Sequence, residues 1–138
     1  MSNITATSSI KHFIKDQLGC GCPDQVFLSI RITHQPGCFD GLPVESLLEV
    51  GGRLLVAIGE QGKWRELGNH LKEIIHEGKS FRDDNGFNRF RLVIPTEDEE
   101  TRRIIQRVYD SLASKDEKIH IHFVTLNEIP DELVECAE

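Results

Sequence analysis

Three short runs decide most of what this chain can fold into. Arg53 to Ile58 is apolar on both faces, with Leu54, Val56 and Ile58 on one side and Leu55 and Ala57 on the other. Such a run reads as a central strand covered above and below. Phe90, Leu92 and Ile94 alternate with Arg89, Arg91 and Val93; Ile119, Ile121 and Phe123 alternate with His120, His122 and Val124. Each of these reads as a strand with one buried face. Helical stripes separate the three. Over residues 63 to 77, Trp64, Leu67, Leu71, Ile74 and Ile75 share one side of a helix, with Gly78 as the expected stop and Gly68 placed for close packing on the sheet. Ile104, Ile105, Val108, Tyr109 and Leu112 form the second stripe, behind an expected Thr96–Glu99 capping box and i,i+4 pairs Asp98–Arg102 and Glu99–Arg103. Strands joined by helical crossovers run parallel, with right-handed connections.

The first half is less regular. Ile10, Phe13, Ile14 and Leu18 predict a helix over 8–18, capped by Ser8 or Ser9 and stopped by Gly19. Val26, Leu28, Ile30 and Ile32 alternate with Phe27, Ser29, Arg31 and Thr33, predicting a strand over 26–33. Residues 34–52 read as a long turn-rich connection with a short helix over 44–49. This connection lacks a full crossover helix, so the first strand is expected to run antiparallel to a neighbour. With 138 residues the chain is long enough for one sizeable core. The expected fold is one α/β domain over 1–138, an α+β-like two-layer sandwich. Its mixed four-stranded sheet has the element order α-β-β-α-β-α-β, with helices mainly on one face. An acidic C-terminal tail follows over 126–138, with a short helix over 130–136.

Charge narrows the partners. Sixteen Lys and Arg against 23 Asp and Glu give a net charge of −7, which disfavours nucleic acid and anionic membranes as partners of the whole surface. No apolar run reaches the ~18 residues of a membrane-spanning helix, and Met1 to Ser9 shows no secretory apolar core. Four cysteines are too few for a disulfide scaffold. A cytoplasmic protein with reduced thiols is therefore expected. The GxGxxG, Walker A, HExxH and GxSxG signatures are missing, so no reaction or substrate is legible.

Two features carry chemistry. The first is a sheet face that is not apolar. Its expected members are Phe27, Ser29, Arg31 and Thr33, then Leu55 and Ala57, then Arg89, Arg91 and Val93, then His120, His122 and Val124. Arg31, Arg89, Arg91, His120 and His122 are its candidate ligand-binding residues. The face suits a homodimer interface or an anionic ligand; a plainly solvated surface is the alternative. With Phe27 as its only ring it is a poor platform for stacking RNA bases. His120 and His122 project to one side about 7 Å apart, enough for two ligands of one metal, but a third ligand is not apparent. A histidine general base would lack a placed nucleophile or partner carboxylate, so whether the chain is an enzyme stays open.

The second feature is Cys20-Gly21-Cys22-Pro23. Two thiols two residues apart can share a metal, zinc or an iron–sulfur cluster being the candidate groups, or act as attacking and resolving thiols. Cys136 is the better third candidate, because Cys38 is expected at the far end of the first strand. If that strand runs antiparallel to the second, the cysteine pair lies at the C-terminal edge of the parallel strands, where α/β sheets bind ligands. Gly59 to Lys63 lies there too, which makes Lys63 a further candidate for anion binding. The thioredoxin arrangement, a Cys-x-x-Cys opening a helix after a strand, is not met. The leading expectation is a small cytoplasmic thiol protein using Cys20, Cys22 and Cys136 for metal binding or thiol redox, in an accessory role. The alternative is a non-catalytic, dimeric binding module using the basic sheet face for an anion, a small ligand, RNA or a protein partner.

Overall fold

The computed structural model describes residues 2–4, 10, 12–17, 30–34, 39, 41–112 and 118–130. Six strands form one mixed sheet in chain order: β1 (Ser2–Ile4), β2 (Ile30–His34), β3 (Val44–Val50), β4 (Leu54–Gly59), β5 (Arg89–Pro95) and β6 (Ile119–Val124). The pairs β1–β2, β2–β3 and β3–β4 are antiparallel; β4–β5 and β5–β6 are parallel. Three helices are α1 (Trp64–Asn69), α2 (Leu71–Asp84) and α3 (Glu99–Asp110). A π-helical segment, Phe13–Gln17, precedes β2, and a 3-10 turn, Leu126–Glu128, follows β6.

The expected four-stranded sheet is therefore short by two strands. One is the three-residue β1 at the edge. The other, β3, replaces the short helix expected over 44–49. Ser46, Leu48 and Val50 pair with Ile58, Val56 and Leu54, while Leu47 and Glu49 point the other way, a two-residue period. A register shift between Val44 and Ser46 sets two residues of β3 against one step of β4. This bulge turns Val44 to the opposite face, where it packs with Phe39 and Leu47. The β3–β4 connection is tight: Arg53 N donates to Val50 O at 2.9 Å, across Gly51 (φ 54°) and Gly52 (φ 69°). Two successive positive φ angles are the primed hairpin turn that glycines form without strain.

Inserting β3 reverses the consequence drawn for the first strand. Two antiparallel steps make β2 run the same way as β4. Ile30 lies level with Val50, Leu54 and Arg89, at the end where β4 and β5 begin. The chain thus enters β2 at the opposite end of the sheet from the C-terminal edge on which the Cys20–Cys22 argument relied.

Cover is also divided differently. Helices α1–α3 lie on one face, over Leu55, Ala57, Phe90, Leu92, Ile94 and Ile119. On the other face Ile10, Phe13 and Ile14 pack against Ile30, Ile32, Leu48, Val50, Leu54, Val56 and Ile58. The sheet is three layers deep over β2–β4, not two, because β2 to β4 present an apolar surface on that side that needs its own cover.

Local details shift with packing. The expected 63–77 helix is split at His70 into α1 and α2, and α2 runs on to Asp84 through Gly78. Gly78 is not a stop: a Cβ there would lie 2.3 Å from Phe90 Cζ, so the helix rests on the Phe90 ring. Gly68 faces α3 instead of the sheet, with Ile105 Cγ1 4.0 Å from an added Cβ. The cap of α3 is Asp98, not Thr96; its carboxylate accepts from Glu100 N at 3.3 Å and from Thr101 Oγ1 at 2.9 Å. Arg103 pairs with Glu100 at 3.3 Å in place of Glu99. Residues 131–136 of the expected tail helix and the strand residues 26–29 lie outside the described residues.

These contacts predict opposite outcomes for two glycines. Gly78→Ala costs about 1–3 kcal/mol through overpacking against Phe90. Gly68→Ala is neutral or stabilising by up to about 1 kcal/mol, since it restores helix propensity in open space. Urea unfolding monitored by circular dichroism distinguishes the two; equal effects contradict the packing described.

Candidate functional site

The register decides which polar side chains meet. Arg91 lies level with His120, and Val93 with His122. Leu54 and Val56 lie level with Arg89 and Arg91. Partners in register project to the same face, so Arg89, Arg91, His120 and His122 share a side with Leu54, Val56, Ile30 and Ile32. The expected grouping of these four basic residues holds. The expected company does not: Leu55 and Ala57 face the helices, and Arg31 lies level with Glu49 and Leu55 on that opposite side. The strand-to-strand phase cannot be read from alternation within each strand, and the bland residues of β4 carry no polar marker of their own.

The four residues occupy the β5–β6 half of a face whose β2–β4 half is covered by Ile10, Phe13 and Ile14. At its C-terminal end Val93 and Val124 join the same apolar cluster, as does Ile129 after the strand. Arg89 and His120 are exposed, while Arg91 and His122 are half-buried. The Nε of Arg91 and Nε2 of His122 are out of contact with water and have no hydrogen-bond partner among the described residues. Buried polar atoms normally find a partner, and leaving one unmade costs about 1–3 kcal/mol.

Electrostatics follow from this placement. Burial, then the charges of Arg91 and His120, push His122 down to about 4 from its ordinary 6.5. Burial and then Arg89 press the Arg91 guanidinium below its usual value. Near neutral pH the face therefore holds a neutral His122 beside crowded cations in a chain of net charge −7. It can accept an oxyanion or carboxylate, which would relieve the repulsion and satisfy the buried donors.

Lys63 is not part of this face. It is exposed in the turn between β4 and α1, past Gly62 (φ 79°), and the chain there passes to the helical side. Cys20, Cys22, Cys136 and Cys38 lie outside the described residues. Among the described residues no group of three or more His, Cys, Asp or Glu side chains is placed to hold a metal ion. Among them too, no helix is long and apolar enough to cross a membrane.

Comparisons with protein-family models, with curated proteins and with solved structures returned no match.

One residue missed in the sequence stands out. Arg82 is 6% exposed, on the buried stripe of α2 with Ile74, Ile75 and Gly78. Its signal was legible: a charge at helical spacing on an otherwise apolar side.

The depressed His122 makes a pH prediction. Its folded form takes up a proton only near pH 4, the unfolded chain near 6.5, so stability falls as pH drops through that window. His122→Gln removes this contribution. Compared by urea unfolding at pH 7.5 and 4.5, wild type should lose about 1–2 kcal/mol more than the variant, after discounting for solvent screening. Parallel losses would contradict the burial of His122.

Proposed function

We propose that the chain is a non-catalytic binding module whose β5–β6 face engages an acidic partner through Arg89, Arg91, His120 and His122. The observation that carries this reading is the pair of buried atoms without a hydrogen-bond partner among the described residues, Arg91 Nε and His122 Nε2, on neighbouring strands of one face. A carboxylate seated there answers both, and charge-assisted hydrogen bonds are the stronger kind. The face is broad and strand-built, which suits an extended acidic segment of another protein more than a small enclosed substrate. The negative average charge of the chain keeps non-specific polyanions away and leaves recognition to this patch.

A poly-glutamate peptide titrated at low salt, followed by amide chemical shifts, tests the proposal. Shifts should centre on Arg91 and His122, weaken in high salt, and vanish in an Arg89→Glu/Arg91→Glu variant. Unchanged binding by that variant refutes it. Light scattering on the same variant tests the dimer expectation: an unchanged mass excludes this face as the surface between two copies.

The thiol reading rests on the sequence alone. Cys20 and Cys22, helped by Cys136, would hold zinc or an iron–sulfur cluster or exchange thiols. Stoichiometric metal in untagged protein, lost in Cys20→Ser/Cys22→Ser, supports it; metal-free protein with unreactive thiols at pH 7 removes it.

A further inference from the structure

Beyond the Arg89 end of the basic face, a cavity of about 450 Å³ opens where β4 and β5 begin. One wall is the β3–β4 turn, with Gly52 and Arg53; the other is the last turn of α2, with Arg82 and Asp83, and the loop after it, with Gly86, Phe87 and Asn88. The volume falls within the range of small-molecule sites.

The walls are held by backbone. Arg53 O accepts from Asn88 N at 2.7 Å and from Arg89 N at 3.2 Å, tying turn to loop. Arg82 O accepts from Phe87 N at 2.9 Å. Phe87 stacks on Phe81 with ring centroids 6.2 Å apart. Gly52 and Gly86 hold φ of +69° and +75°, and an added Cβ at either would meet nothing within 4 Å, so the space beside each is open.

The chemistry of the lining is cationic. The Arg82 side chain is 7% exposed, and its Nη2 lies 2.9 Å from Asp83 Oδ1, with Nε at 3.0 Å from the same oxygen. Two donors thus converge on one oxygen of a carboxylate that is itself 54% exposed. Arg53 lines the same space and is exposed, and its guanidinium makes no hydrogen bond or ion pair among the described residues. Among the described lining residues, two guanidiniums from opposite walls face one carboxylate. Asn88 adds a polar side chain to the same lining. A buried guanidinium held at the edge of a cavity, faced by a second, is suited to a tetrahedral oxyanion with several acceptor oxygens.

We infer that this cavity binds a phosphate monoester, its phosphate between Arg53 and Arg82 and its organic part against Phe87. Asp83 is then the intramolecular competitor: it holds the Arg82 fork in place and is displaced from, or shares, that fork when phosphate enters.

Inorganic phosphate, ribose 5-phosphate and acetate, titrated into the full chain with amide shifts as the readout, test the inference. Shifts at Gly52, Gly86 and Asn88 with both phosphates, the ester binding more tightly, are expected. Arg53→Gln, an exposed change that spares the fold, should weaken binding about tenfold. Asp83→Asn should tighten it by removing the competing charge. Shifts confined to Arg91 and His122, affinity unchanged in both variants, or acetate binding as tightly as phosphate would overturn the inference. An Arg91→Glu variant distinguishes it from the binding-module reading, since Arg91 is not in the cavity lining and the cavity should still take phosphate when that side chain is reversed in charge.

Discussion

Everything in this molecule is arranged around keeping water from both sides of β4. All six of its residues are buried, so an apolar layer must be supplied above and below. The helices α1–α3 provide one, and Ile10, Phe13 and Ile14 provide the other. Among the described residues the second layer covers β2 to β4 and the C-terminal ends of β5 and β6 at Val93 and Val124. Where it stops, the face turns basic, and Arg91 and His122 remain with buried donors unanswered. Among the described residues, the candidate site is thus the part of the sheet that the second layer leaves without apolar cover.

Much of this was legible. Residues 54–58, 89–94 and 119–124 are apolar on one or both faces at strand length, and the helical stripes between them demand parallel pairing; β4, β5 and β6 pair that way. The grouping of Arg89, Arg91, His120 and His122 followed because each pair is two residues apart on its own strand. Arg31 was misplaced because alternation specifies two faces of a strand but not which of them meets which face of the next. β3 was missed because Glu45, Ser46 and Glu49 interrupt its apolar residues at spacings a helix also allows, although Gly51-Gly52 between Val50 and Leu54 is a strong hairpin signal. β3 has a long reach: with it in place, β2 runs the same way as β4, and Ile30 lies at the end of the sheet where β4 and β5 begin.

Glycine shows the same dependence on tertiary context. Gly78 carries the helix straight through a position where local sequence suggests an end, because Phe90 occupies the volume a side chain would need. Helix termini are decided by propensity only where packing has no stake, and here it does. Asp98 likewise takes the cap from Thr96, since its carboxylate reaches both Glu100 N and Thr101 Oγ1, two donors for one residue.

The Gly51-Gly52 hairpin also bears on the order in which the sheet can assemble. Val50 and Leu54 meet across four positions, whereas Leu54 and Arg89 meet across thirty-five. Closing the longer segment costs about 2 kcal/mol more chain entropy. The hairpin β3–β4 is therefore closed by local contacts, whereas the parallel strands that carry the basic face are joined only through long crossovers.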